Sequence, residues 1–173
     1  MKTVEKTKYS VGPISIAMDS GSNFLGFSIY DITSKKYIIS GLLRPTTRDG
    51  KIIPVGDSYP HIKKCRSLLK QIKELVKKYE VTTGIIEVPS HWAKAGFAAR
   101  ESGSMQKLNF VAGMICSISM FKTCYPEDWK GNMSKEICKA RLEKFHPNID
   151  TRNMSSDEID SICINHWFLN MKV

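Results

Sequence analysis

The sequence has no apolar run approaching the ~20 residues needed to cross a bilayer. The longest, VAGMICSISMF at 111–121, stops well short. The opening MKTVEKTKYS is polar and lacks the apolar core of a secretory signal, so the expectation is a cytoplasmic protein without a membrane partner. There is no CxxC pair, and the five cysteines (Cys65, Cys116, Cys124, Cys138, Cys163) have no histidine at zinc-finger spacing. They read instead as small core residues in a reducing compartment. No glycine-rich GxxxxGKS/T stretch is present, which excludes a P-loop nucleotide site. No repeat, low-complexity tract or Pro/Gly/Ser linker divides the chain, so residues 1–173 are expected to form one domain. Residues 1–12 are a basic extension with no assignable motif. Acid is the other shortage: 17 acidic residues against 26 basic give a net charge of +9. A polyanionic partner is the leading inference, nucleic acid before membrane surface.

What is present reads as an α/β protein. ISIAMDS (14–20) and FLGFSIYD (24–31) are short apolar strands joined at Gly21 to Asn23, a hairpin pattern, and KKYIISGLL (35–43) follows as a third strand. The polar stretch 44–58 is expected as an exposed loop. From 59 to 79 the period changes: Ile62, Cys65, Leu69, Ile72, Leu75, Val76 and Tyr79 recur at three- and four-residue steps, predicting an amphipathic helix. Its lysines at 63, 64, 70, 73, 77 and 78 form the solvated face, with DNA contact the alternative. A fourth strand at 82–88 after that helix argues for parallel pairing. Residues 104–120 predict a helix apolar nearly all round, hence buried in the core or at a subunit interface. TCY (123–125) is a short fifth strand. A helix over 134–145 turns Ile137, Cys138, Leu142 and Phe145 inward, and a last helix covers 156–169.

Carboxylates stand where solvation does not explain them. Asp19 closes the first strand and Glu87 the fourth, while Asp157 and Asp160 share one face of the last helix. Functional groups in α/β sheets gather at strand ends, so Asp19 and Glu87 are placed to converge. Clustered carboxylates repel, and hard oxygen-seeking cations such as magnesium or manganese are the counter-charge that makes them tolerable. Bland readings exist for each acid. Asp19 before Ser-Gly-Ser suits a turn, and Glu87 suits an ordinary strand end. Asp157 falls in the first turn of a helix that Ser155 and Glu158 would cap. Asp160 has no such reading, because Ile162, Cys163 and Ile164 follow it on a helix expected to be mostly buried.

The ordered set resembles the RuvC-type Holliday junction resolvases of the RNase H-like superfamily, from about residue 14 to residue 168. AMDSGSNFLGFSIYD resembles the family's opening strand, whose aspartate is a metal ligand, here Asp19. GIIEVPS resembles the strand ending in a metal-binding glutamate, here Glu87, and DEIDSICI the C-terminal pair, here Asp157 and Asp160. SMQKLNFVAGMI resembles the small-residue helix of the family's dimer interface. PEDWKGNMSKE resembles the segment whose lysines lie near the scissile phosphate, giving Lys130 and Lys135, the latter better placed at a helix start. The competing reading of each is a solvated lysine, stronger for Lys130 than for Lys135. The chain departs from the pattern after Glu87. The nearby aromatic is Trp92, on a loop with Lys94 and Gly96, and it either stacks on an unpaired base or anchors the loop in the core. The family's glycine-rich turn is also reduced, to Gly131-Asn-Met-Ser134.

The resemblance implies an RNase H-like fold with a five-stranded mixed sheet flanked by helices. It implies a magnesium-dependent crossover junction endodeoxyribonuclease with two ions per site, manganese substituting. Asp19, Glu87, Asp157 and Asp160 would be the ligands and Lys135 the group offsetting developing charge. Trp92, Lys94, Lys130 and Lys135 would face DNA. The partners implied are branched DNA, above all four-way junctions, and a second copy of the chain in a homodimer. The expected setting is the cytoplasm of a bacterium or of a phage-infected host, the departures from the pattern suggesting a bacteriophage version. Two other readings compete. An actin-like or sugar-kinase-like phosphotransferase needs two such domains, for which 173 residues leave no room. A non-catalytic branched-DNA-binding protein on the same fold would gain nothing from mutually repelling acids.

Overall fold

Strand residues alternate between two apolar layers, and this alternation organises the molecule. The computed structural model describes residues 13–21, 23–54, 60–90 and 103–170. The strands β1 (Ile14–Ser20), β2 (Leu25–Asp31), β3 (Lys36–Leu43), β4 (Val81–Glu87) and β5 (Phe121–Cys124) form one sheet in the order β3-β2-β1-β4-β5. The β1–β2 and β2–β3 pairs are antiparallel, and β1–β4 and β4–β5 are parallel. The helices are α1 (His61–Tyr79), α2 (Ser104–Cys116), α3 (Pro126–Trp129), α4 (Lys135–Phe145) and α5 (Ser156–Phe168), with a 3-10 turn at Thr151–Asn153.

Ile16, Met18, Phe27, Ile29 and Ile86 point to one face, where Leu68 and Ile72 of α1 and Val111 and Ile115 of α2 cover them. Ala17, Tyr30 and Ile85 point to the other, under Cys138 and Leu142 of α4 and Ile162 and Cys163 of α5. Period-two alternation with both faces apolar is what a central strand between two helical layers requires. Ser15 and Ser28 stand beneath α5: Ser15 Oγ donates to Asn165 Oδ1 at 2.8 Å, and Ser28 Oγ donates to the Ser161 carbonyl at 2.8 Å. These small polar residues let α5 lie close on the sheet with its buried polar groups satisfied.

The sheet topology modifies the expected pairing. The helix between β3 and β4 does join a parallel arrangement, but β4 pairs with β1, not β3. β3 is left at the edge. The predicted long helix at 104–120 ends at Cys116, where the Ser117 hydroxyl turns back to the Met114 carbonyl at 2.6 Å. The chain then starts β5 at Phe121, earlier than expected, with Gly84 directly opposite to leave room for the Phe121 ring.

Two helical faces are rotated from their sequence reading. On α1 the buried stripe is Lys64, Cys65, Leu68 and Ile72, so Lys64 is not on the solvated face and Ile62 is 40% exposed. On α4 only Cys138 and Leu142 are buried, and Ile137 stays 47% and Phe145 41% exposed. Periodicity marks a candidate face, but only the positions that a neighbouring element covers become buried. Four of the five cysteines are buried, Cys116 is partly so, and all are free thiols. No described helix is long and apolar enough to cross a membrane.

Candidate active site

The site is built where β1, β4 and α5 meet. Met18 pairs with Ile86 in parallel register, so Asp19 and Glu87 leave neighbouring strands at the same level. Ser20 Oγ donates to the Glu87 carbonyl at 2.8 Å and ties the two strand ends together. The β4–β5 ladder reaches its last bond at Val88, whose N–H donates to the Cys124 carbonyl at 2.9 Å. Pro89 has no N–H to continue it.

Helix α5 supplies the other two acids. Ser155 caps it, accepting the Glu158 N–H at 3.2 Å. The expected reciprocal cap is absent, because the Glu158 carboxylate accepts the Ser40 hydroxyl instead. The first turn rests on Gly26, which pairs with Asp19 in the β1–β2 ladder. A β-carbon on Gly26 would sit 2.0 Å from the Asp157 carbonyl oxygen, so only glycine permits this approach. The Asp157 carboxylate reaches the β1–β2 turn, where a β-carbon on Gly21 would lie 3.3 Å from Asp157 Oδ2. One turn along α5, Asp160 is buried with 5% exposure.

A short element missed in the sequence completes the surroundings. Helix α3 starts with Pro126 in its first turn, and Asp128 accepts the Tyr125 N–H at 2.7 Å. This places the Trp129 indole N–H as a donor to Glu87 Oε2. Lys130 follows with its ammonium 3.7 Å from Asp160 Oδ2 and 4.9 Å from the centroid of the Trp129 ring. The PEDW pattern, proline followed by two acids, is a legible helix start. Nothing in the sequence pairs Trp129 with Glu87. On the opposite side, the Arg44 guanidinium lies 5.1 Å from the centroid of the Phe24 ring, beside the β1–β2 turn.

The electrostatics follow from burying like charges together. Burial holds the Asp19 carboxyl well above its ordinary range, and Glu87, Asp160 and Asp157 push it the same way against the opposing pull of Lys130. Burial also raises Glu87, opposed by the Trp129 hydrogen bond and Lys130. Asp160 is raised by burial, opposed by Lys130 and then Lys135. Lys130 therefore stands closer to the acids than Lys135, which is exposed at the start of α4 and acts at longer range. This reverses the order expected from sequence.

A stability prediction follows. The folded Asp19 carboxyl holds its proton more tightly than the unfolded one, so its contribution falls as pH rises above the ordinary carboxylate range. The Asp19→Asn variant is expected to be more stable than the native chain by about 1–2 kcal/mol at about pH 8 in EDTA. The gap should close as pH falls to about 4. Melting curves across that range check the sign, and a less stable variant at high pH would contradict it.

The structure thus brings Asp19, Glu87, Asp157 and Asp160 into one mutually repelling group beside Lys130. Among the described residues, no three His, Cys, Asp or Glu side chains are placed to hold a single ion. Glu87 and Asp160 are turned to Trp129 and Lys130 instead. The donor set itself is hard carboxylate oxygen with one close lysine as counter-charge, which suits magnesium or manganese. Trp92, Lys94 and the extension at 1–12 lie outside the described residues.

No protein-family model matches the chain, and no curated protein is similar to it in sequence. Solved structures are similar in fold. RuvC from T. thermophilus in complex with a Holliday junction substrate superposes with a TM-score of 0.64 at 11% identity, covering 92% of this chain and 96% of that one. A second structure of Thermus thermophilus RuvC gives 0.61 at 13% identity, covering 91% and 96%. The yeast mitochondrial Holliday junction resolvase Ydc2 gives 0.61 at 12% identity, covering 91% and 78%. The chain has the RuvC-type, RNase H-like α/β fold expected from its sequence.

Proposed function

We propose that this chain is a structure-selective endonuclease that resolves four-way and other branched DNA by hydrolysing phosphodiester bonds. The observation that carries the reading is the convergence of four carboxylates from β1, β4 and α5 in a chain of net charge +9. Buried like charges oppose folding, and a site that retains them has a use for them. The similarity in fold to a RuvC structure in complex with a Holliday junction substrate supports the substrate class.

Asp19, Glu87, Asp157 and Asp160 would hold two magnesium ions, with manganese substituting. Bound there, the ions supply Lewis-acid polarisation of the scissile phosphate and acidify the attacking water. The chain's own residues do the rest. The strand ends and the Ser20–Glu87 link hold Asp19 and Glu87 rigid, and Gly26 sets the height of Asp157 and Asp160 above the sheet. Trp129 fixes the orientation of Glu87. Lys130, with Lys135 behind it, offsets the negative charge that builds on the phosphate as the bond breaks. Trp92 and Lys94 would meet DNA beyond β4. A homodimer, each copy nicking one of two opposed strands, matches the symmetry of a four-way junction. Phe110, exposed on α2, suits such an interface.

The test is a gel assay of four-way, three-way, flap and duplex substrates with magnesium, manganese or EDTA. Paired nicks in four-way junctions that need a divalent ion are expected. Junction binding that persists in EDTA, with no product once magnesium is added, would instead identify a non-catalytic branched-DNA-binding protein. Equal cutting of plain duplex would remove the structure selectivity.

A further inference from the structure

On the sheet face that carries α4 and α5, three polar side chains converge on one point, and the nuclease reading does not use them. They are Tyr30 of β2, His146 just past α4, and His166 in the last turn of α5. The Tyr30 hydroxyl lies 2.8 Å from His166 Nε2 and 3.0 Å from His146 Nε2, and the two nitrogens are 2.7 Å apart. Tyr30 and His166 are buried, and His146 is partly so. Aromatic rings wall the point: Tyr37 packs edge-on to Tyr30, and Phe145 edge-on to His166.

Hydrogen bonds within the protein cannot complete all three contacts. An imidazole nitrogen presents either one proton or one lone pair in the ring plane, never both. If the phenol donates to one nitrogen and accepts from the other, both nitrogens are used and their own contact has no proton left to fill it. If a proton joins the two nitrogens, the phenol has no lone pair left to donate to. A cation shared by all three atoms resolves the conflict. Both histidines favour the neutral form that ligation requires, His166 being pushed down to about 4 by burial and by His146, and His146 pushed down by burial.

We propose that Tyr30, His146 and His166 form a structural binding site for an imidazole-preferring divalent cation of the zinc class, separate from the carboxylates. Two imidazole nitrogens and a phenol oxygen select a softer ion than the carboxylate set does. With zinc–nitrogen bonds of about 2.1 Å, tetrahedral ligands stand about 3.4 Å apart, so the three atoms must part by about half an ångström. The partly exposed side of His146 gives the ion its way in and leaves a fourth position for water. The cation would tie β2 to the end of α4 and to the last turn of α5, holding in place the helix that carries Asp157 and Asp160. Tyr30 is the weakest ligand, because burial raises its phenol.

The full chain is loaded with zinc, dialysed, and its metal content and melting temperature are measured, with cobalt absorption as the spectroscopic readout. About one zinc per chain is expected to remain, raising the melting temperature by about 4 °C. The native chain and Asp160→Asn should behave alike. Affinity should fall at least about tenfold in His146→Gln, a partly exposed position that tolerates the change. Tyr30→Phe keeps the buried shape and should retain cobalt with an altered spectrum. No retained zinc in the native chain, or equal retention by His146→Gln, overturns the proposal. Loss of zinc in Asp160→Asn also overturns it, since the ion would then belong to the carboxylates.

Discussion

Replacing Asp160 by Asn is expected to lower junction cleavage by about 10³-fold or more, with junction binding in EDTA unchanged. The side chain keeps its shape, so the variant isolates the charge. Asp160 is buried, is raised by that burial, and faces Lys130 at 3.7 Å. Amidation relieves the cost of a buried carboxylate but leaves Lys130 without its partner. The two effects oppose each other, and net stability should change by no more than about 1 kcal/mol. A catalytic loss without a folding loss separates a reactive acid from a structural one. The decisive comparison is single-turnover cleavage beside a melting curve. Cleavage within about threefold of native would remove Asp160 from the site, and collapse of the melting transition would make its role structural.

Gly26→Ala should do the reverse and damage the fold first. The added carbon would meet the carbonyl oxygen of Asp157 at 2.0 Å, its carbonyl carbon at 2.3 Å and the amide nitrogen of Glu158 at 2.8 Å. All three are backbone atoms, so no side-chain rotation relieves the clash. The first turn of α5 must lift from the sheet by more than an ångström to reach ordinary contact. Overpacking of this kind is expected to cost about 3 kcal/mol, a fall in melting temperature of ~9 °C. The residue that survives folding carries Asp157 and Asp160 at the wrong height, so cleavage should drop about 10²-fold further than the unfolded fraction explains. Gly113→Ala is the control. Nothing lies within 4 Å of its β-carbon, and α2 should gain about 0.5–1 kcal/mol from it. An unchanged melting temperature for Gly26→Ala would mean that α5 does not rest on β2 as described.

Much of this site could be read along the chain because its parts are local. The strands ending in Asp19 and Glu87 announce themselves by apolar runs broken at Gly21 and Pro89, and the start of α5 by Ser155. Element boundaries therefore fell within a residue or two, except where α2 and β5 exchange: the apolar run 111–121 serves a helix first and a strand afterwards. Periodicity records which residues are apolar, not which neighbour will meet them. That is why Lys64 is buried and Ile62 exposed on α1, and why Ile137 and Phe145 on α4 are more exposed than their periodicity implies.

The sequence by itself determined the sheet-and-helix order, the four acids at element ends and the RuvC-type fold, because each is encoded in short-range patterns of polarity and turn residues. Only the tertiary structure decided that Lys130 rather than Lys135 meets the acids and that Trp129 holds Glu87. It also made Gly26 the floor of the site and gathered Tyr30, His146 and His166 at one point. These contacts join residues far apart in the chain. Their geometry depends on how α3, α4 and α5 cross the sheet, a property of packed volumes that no single segment carries.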